Sequence, residues 1–265
     1  MKFFSKFGFL AGILGLALLT TAVLLFLNSR YVARFSEPPT LEQEDVGELI
    51  VEERSAPQTV EEVLANYRSA LGREMDLDRL QTLRMAGIMR NNEDTFPVQL
   101  SRHISGDHLH LTLHNRREPR TFIWRPNAVT IVDLEGGEQP FDNPYLANRF
   151  DLDAWVFFLP LQPNPRRLPL VFVGRETFRG FEYDVLETTP AAPLPARFYF
   201  EATTGLLRFR ELPAFEDHPP ELDEFLEYRR VEGIRFPFRV LYMRDGKYEG
   251  DFAATRVEVN PGMLR

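Results

Sequence analysis

Over most of the chain after Thr82, apolar side chains recur at every second position, and this period restricts the fold to half-buried β-strands. The stretch from Phe225 to Tyr242 shows it best. It reads as two strands joined at Glu232-Gly233. Leu226, Tyr228 and Arg230 alternate with Phe225, Glu227, Arg229 and Val231; after the turn, Phe236, Phe238, Val240 and Tyr242 oppose Arg235, Arg239 and Met243. Gly233 meets the positive φ of a tight turn. Pro237 has no amide hydrogen, so its nitrogen should face an edge, a bulge or solvent.

The same pattern places strands near residues 83–90, 97–104, 108–114, 120–125 and 128–133, separated by turn residues such as Asn91-Asn92, Gly106-Asp107 and Pro126-Asn127. It breaks between Phe141 and Leu161. There Asp151 is placed to cap a helix carrying Leu152, Trp155, Val156 and Leu159, with Pro160 and Pro163 as its stop. Strands resume at Leu170. Residues 212–224, with Pro213, Pro219 and Pro220, read as a loop ahead of the hairpin. The expectation is a mainly β (α+β) domain of about ten or eleven strands. Short connections make it one antiparallel meander, wide enough to curl into a half-open curved barrel.

A helix precedes the strands, from Thr59 to Leu71. Thr59 caps it, Glu62 completes a capping box, and Val60, Val63, Leu64, Tyr67 and Leu71 form its apolar stripe. Gly72 ends it, and Asp76 is placed to cap a short second helix through Leu80. This helix and segment 141–161 are available to cover one face or mouth of the sheet.

Ahead of the domain lies an apolar run, Phe7 to Leu27, preceded by Lys2 and Lys6. At about 1.5 Å per residue it is roughly 30 Å long, enough to cross a bilayer core. The apolar run continues past the small residues that a cleavage site needs, so an uncleaved signal anchor is expected. The chain is then single-pass in the inner membrane, held through residues 7–27, with its bulk in the periplasm or outside. Secretion after signal cleavage is the alternative. Residues 1–29 form the anchor, 30–56 an acidic flexible linker and 57–265 the globular domain.

A net charge of −8 argues against a nucleic-acid face, and the absence of Cys excludes disulfides, thiolate metal sites and Cys nucleophiles. No P-loop, dinucleotide fingerprint, nucleophile elbow or zinc-protease helix is present. His108, His110 and His114 share one strand face, which reads as a polar outer face opposite Leu109, Leu111 and Leu113. The carboxylate groups Asp76/Asp78, Asp151/Asp153 and Glu221/Asp223/Glu224 fall at helix starts or in a loop, where capping explains them. Arg116, Arg117, Arg120, Arg166 and Arg167 read as solvated turns. No catalytic residue, metal site or cofactor is expected.

Several segments resemble a known group in their order and spacing. They are Tyr67-Arg-Ser-Ala-Leu-Gly72, Leu80-Gln-Thr-Leu-Arg-Met-Ala-Gly87, Val171-Phe-Val-Gly-Arg-Glu-Thr-Phe-Arg-Gly180, Thr203-Thr-Gly-Leu-Leu207, Tyr228-Arg-Arg-Val-Glu-Gly-Ile-Arg-Phe-Pro237 and Arg256-Val-Glu-Val-Asn260. The group is the superfamily of periplasmic outer-membrane lipoprotein-sorting proteins, the LolA-like proteins, and the likeness spans roughly residues 57–262. The resemblance implies a half-open antiparallel barrel with helices over its concave side. It also implies an apolar concavity that holds acyl chains of lipids or lipoproteins without performing chemistry. No functional residue of the lipoprotein carrier matches individually. The alternating apolar residues give a candidate lining: Leu109, Leu111, Leu113, Phe122, Trp124, Trp155, Phe158, Phe198 and Phe200. The expected function is a membrane-anchored, exported lipid- or lipoprotein-binding module. The alternative is an envelope sensor or scaffold that binds another exported protein through a sheet edge or loops.

Overall fold

The structure, a computed structural model, describes residues 56–261 apart from 93, 104–107, 114–119, 126–127, 134, 146, 150–151 and 153–167. Among the described residues no helix is long and apolar enough to cross a membrane. The run 7–27 and the acidic linker lie outside them.

Thirteen strands form one sheet: β1 Thr82–Asn91, β2 Thr95–His103, β3 His108–Leu113, β4 Arg120–Arg125, β5 Ala128–Val132, β6 Glu138–Pro140, β7 Leu170–Phe178, β8 Phe181–Thr188, β9 Arg197–Glu201, β10 Leu207–Leu212, β11 Glu221–Val231, β12 Ile234–Arg244 and β13 Lys247–Val259. Every pairing is antiparallel, in the order β6-β5-β4-β3-β2-β1-β13-β12-β11-β10-β9-β8-β7. Strands pair with their sequence neighbours, except that β6 and β7 do not pair and that β1 pairs with β13, joining the two ends of the domain. The chain passes from one edge strand, β6, to the other, β7. The expected meander is therefore observed, but with more strands than the ten or eleven expected. β6 is wholly exposed and consists of Glu-Gln-Pro, so it carries no apolar alternation to betray it.

A second correction concerns residues 221–224. They belong to β11 rather than to a loop, and both Glu221 and Asp223 are buried. Acidic residues are depleted in strands, which made a loop the natural reading. The hairpin itself is as expected: Glu232 and Gly233 have φ of 49° and 87°, a two-residue turn with both centres left-handed. Pro237 opposes Tyr228 of β11, while the ladder from β12 to β13 begins only at Arg239. Its missing N–H therefore falls where β12 has no partner on that side.

Helix α1 spans Val60–Leu71 and buries Val63, Tyr67, Ala70 and Leu71. The Thr59 side chain accepts the Glu62 amide at 3.2 Å, as a cap should. Gly72 ends the helix in extended backbone, φ 168°, so conformational freedom is not its reason. A Cβ there would stand 2.7 Å from the Gly233 carbonyl oxygen; glycine is required by close packing against the hairpin turn. Helix α2, Glu74–Asp78, has no side-chain cap. Asp76 sits inside it rather than before it and accepts the Arg73 Nε at 2.8 Å. That hydrogen bond, with the positive charges of Arg73, Arg79 and Arg230, holds its carboxyl below the ordinary range.

Helix α1 touches both β12 and β7, five strand spacings apart in the sheet. At about 4.8 Å per spacing they lie roughly 24 Å apart along the sheet, against a helix about 10 Å wide. The sheet must curl around α1 to bring both into contact. The resulting main core joins Tyr67, Leu83, Met85, Val98, Phe198, Phe200, Phe225, Phe236 and Leu152.

Candidate functional site

Strand register fixes which side chains share the inner face. Met85 opposes Leu100, Leu100 opposes Leu111, Leu111 opposes Phe122 and Phe122 opposes Ile131. This is an apolar row across five strands. A second row runs through Leu109, Trp124 and Val129, and Leu113 opposes Val98. Of the nine expected lining residues, Leu111 and Phe122 sit in this row, while Leu109, Leu113 and Trp124 are placed only by backbone register in the same strands. Met85 and Val98 are buried, whereas Leu100, Leu111, Phe122 and Ile131 are half-buried. Phe122 meets Phe141 edge-on at 5.6 Å between ring centres.

Phe198 and Phe200 share the inner face of the other wing, where α1 lies. They are 0 % and 2 % exposed. Tyr67 of α1 meets Phe200 at 5.2 Å, and Tyr228 donates its hydroxyl to the Leu207 carbonyl at 2.7 Å. Burial drives the Tyr67 and Tyr228 hydroxyls far above their ordinary titration range. This wing is filled by the protein's own side chains. Trp155 and Phe158 lie outside the described residues, as do Asp151, Asp153, His114, Arg116, Arg117, Arg166 and Arg167.

An open cleft of about 340 Å³ lies at the β1–β2 and β12–β13 turns, lined by Met89, Asn91, Asn92, Tyr242, Glu249 and Gly250. Met89 and Tyr242 also pack on the main core, so the cleft opens onto the inner face. Beside it is a buried ionic cluster that sequence reasoning missed. Arg210 and Asp223, 2 % and 1 % exposed, pair through Nε and Oδ2 at 2.9 Å. Arg149 donates to Asp223 at 3.0 Å and also contacts Glu221. Tyr145 donates to Glu221 at 3.0 Å, and Arg244 reaches the same carboxylate at 3.3 Å. The Tyr145 ring stacks on His218 with centres 3.6 Å apart. Nothing in the sequence marked Arg210: in Leu-Arg-Phe-Arg-Glu-Leu it alternates with Leu207 and Phe209 just as Arg208 does, which reads as a solvated face.

The carboxylates of this cluster are engaged by arginines, and among the described residues no three His, Asp or Glu side chains are arranged to hold a metal ion. The β1–β5 wing is thus half-covered and apolar on this face, with the ionic cluster toward one end of the sheet.

No family model and no curated protein matches the sequence. Solved structures do match. A LolA superfamily protein from Nitrosomonas europaea superposes with a TM-score of 0.54 at 7 % identity, over 78 % of this chain and 96 % of the other. A domain from Vibrio parahaemolyticus, named for outer membrane lipoprotein sorting, gives 0.55 at 10 % identity, over 77 % and 93 %. At this identity the likeness concerns architecture. On that architecture this chain has the LolA-like fold.

Proposed function

We propose that this protein is an exported, membrane-tethered, non-catalytic module that holds acyl chains of lipids or lipoproteins on the β1–β5 wing of its inner face. The observation that carries this reading is the row Met85, Leu100, Leu111, Phe122, Ile131, whose outer members stay half-buried while the opposite wing is filled by α1. Removal of an acyl chain from water supplies about 0.8 kcal/mol per CH₂, so a long chain needs no polar recognition to bind. The fold shared with a lipoprotein-sorting domain supports the reading, as does the apolar run 7–27, which suits an anchor in the inner membrane.

Native mass spectrometry with lipid extraction tests it, on the full chain purified from its own membrane. Acyl-chain adducts are expected, and they should be lost in the Leu111→Glu/Phe122→Glu variant. A bare mass for the wild type, with no uptake of offered phospholipid or acylated peptide, overturns the proposal.

One observation favours the second reading, a scaffold for another exported protein. β6 is three residues long and carries Glu138 and Pro140, features that discourage strand addition. β7 runs for nine residues and shows Val171 and Val173 at 46 % and 42 % exposure. An extended partner segment would add there, and cross-linking from β7 reads it out.

A further inference from the structure

We propose that the cavity where helix α1, helix α2 and the β11–β12 turn meet is a binding site for a phosphate group, held by Arg230 with Arg73 and Arg235 beside it. The inference stands apart from the acyl-binding reading.

The cavity holds about 390 Å³ and is lined by Ser69, Gly72, Arg73, Asp76, Arg230 and Gly233. Its volume falls within the range of small-ligand sites, about 300–1,000 Å³. Every side chain in its lining is polar, so it does not suit an acyl chain. It offers two guanidinium groups, one hydroxyl and one carboxylate.

The charge around the cavity is unbalanced. Strand register sets Arg230 directly opposite Arg235 across the hairpin. Residues so placed hold their Cβ atoms about 4.5–5.5 Å apart, and like charges there repel. Burial, and then the Arg230 charge, lower the Arg235 pKa, and no carboxylate offsets them. Arg235 is engaged on one side, where it donates to the Ala70 carbonyl at 2.7 Å near the end of α1. Among the described residues, neither Arg230 nor Arg79 makes an ion pair or a side-chain hydrogen bond. The one carboxylate in the cavity, Asp76, is already held by Arg73, through Nε at 2.8 Å and Nη2 at 3.3 Å. Arg73, Arg79 and Arg230 all act on that single negative charge.

An anion seated at Arg230 would relieve this repulsion. The planar fork of a guanidinium matches an oxyanion through two parallel N–H donors. A carboxylate presents only two oxygens. A tetrahedral phosphate presents enough for Arg230, the free N–H groups of Arg73 and the Ser69 hydroxyl together. The ligand class is therefore a phosphate group, carried free or on an anionic lipid headgroup.

The test is isothermal titration calorimetry of the full chain in an uncharged, phosphate-free detergent, with inorganic phosphate as the probe at constant ionic strength. Wild type should bind it. Arg230 is exposed, so Arg230→Gln should fold normally and weaken binding roughly tenfold or more, the worth of one charge-assisted contact. Arg230→Lys, which keeps the charge and loses the fork, should fall between the two. Asp76→Asn removes the competing negative charge and should bind more tightly than wild type, a gain that a merely structural ion pair would not produce. Arg179→Gln, at the β7–β8 turn, should bind as wild type does. No binding by wild type, or equal affinity in wild type and Arg230→Gln, overturns the site. Glycerophosphoglycerol, the soluble headgroup of an anionic phospholipid, separates the two sources. If it displaces phosphate, the site takes a lipid headgroup; if it does not, the site takes free phosphate.

Discussion

The ring of Tyr67 meets that of Phe200 edge-on, with centres 5.2 Å apart and planes inclined at 61°. This contact fixes α1 against β9 and divides the concave face into a filled wing and a half-covered one. Phe200 is therefore core. Phe200→Ala should cost about 3–5 kcal/mol in denaturant unfolding, the range for truncating a buried aromatic. Phe122→Ala, at a half-buried position, should cost less than half of that. Equal costs would mean that the two wings are equally packed.

The Tyr67 and Tyr228 hydroxyls give an alkaline signature. Burial, the largest cause in both, raises their folded pKa above the unfolded value of about 10. Above that value the unfolded chain loses these protons while the folded one keeps them. Their stabilising contribution is complete below about pH 10 and declines as pH rises toward the folded pKa. Tyr67→Phe should flatten the alkaline fall in stability, measured as unfolding midpoint against pH. A fall of the same slope in Tyr67→Phe and wild type would contradict this.

Much of this architecture was legible because period-2 alternation and glycine turns are local signals. The hairpin Phe225–Tyr242, the capped helix α1 and the pairing of Leu111 with Phe122 all follow from spacing alone. What stayed hidden depended on partners distant in sequence. Glu221 and Asp223 looked like loop acids because Arg149, Arg210 and Arg244, which make their burial tolerable, lie on other elements. Asp76 looked like a cap because the hairpin turn it packs against, at Gly233, is distant in sequence, although the arginine that holds it, Arg73, is only three residues away. Phe198 and Phe200 alternate just as Leu109 and Leu111 do. Only the position of α1 makes the former core, while Leu111 stays half-buried.

Gly233 joins two of these hidden constraints. Its φ is 87°, and a Cβ there would stand 2.6 Å from an Asp76 carboxylate oxygen. Gly233→Ala should cost about 1–3 kcal/mol, combining left-handed strain with the clash. Gly233→Asn, which tolerates the left-handed region better, separates the two. In an Asp76→Ala background the Asn variant should recover most of the loss and the Ala variant only part, as read by thermal unfolding. Identical recovery would mean that the turn stores no backbone strain.

The pair Arg210–Asp223 predicts an asymmetry between its own members. Asp223 accepts from both Arg210 and Arg149, so removing Arg210 leaves the carboxylate with one guanidinium. Removing Asp223 instead takes from two guanidinium groups, Arg210 (2 % exposed) and Arg149, the carboxylate they share. An uncompensated buried charge costs about 3–5 kcal/mol, so Asp223→Leu should approach that figure and Arg210→Met should fall well short of it. The double variant, which buries apolar groups of similar volume, should be more stable than Asp223→Leu alone. A double-mutant cycle by chemical denaturation should then give a coupling above about 1 kcal/mol, because the two sites share one carboxylate. Additive losses would mean that Arg210 and Asp223 contribute independently, against the 2.9 Å contact between them.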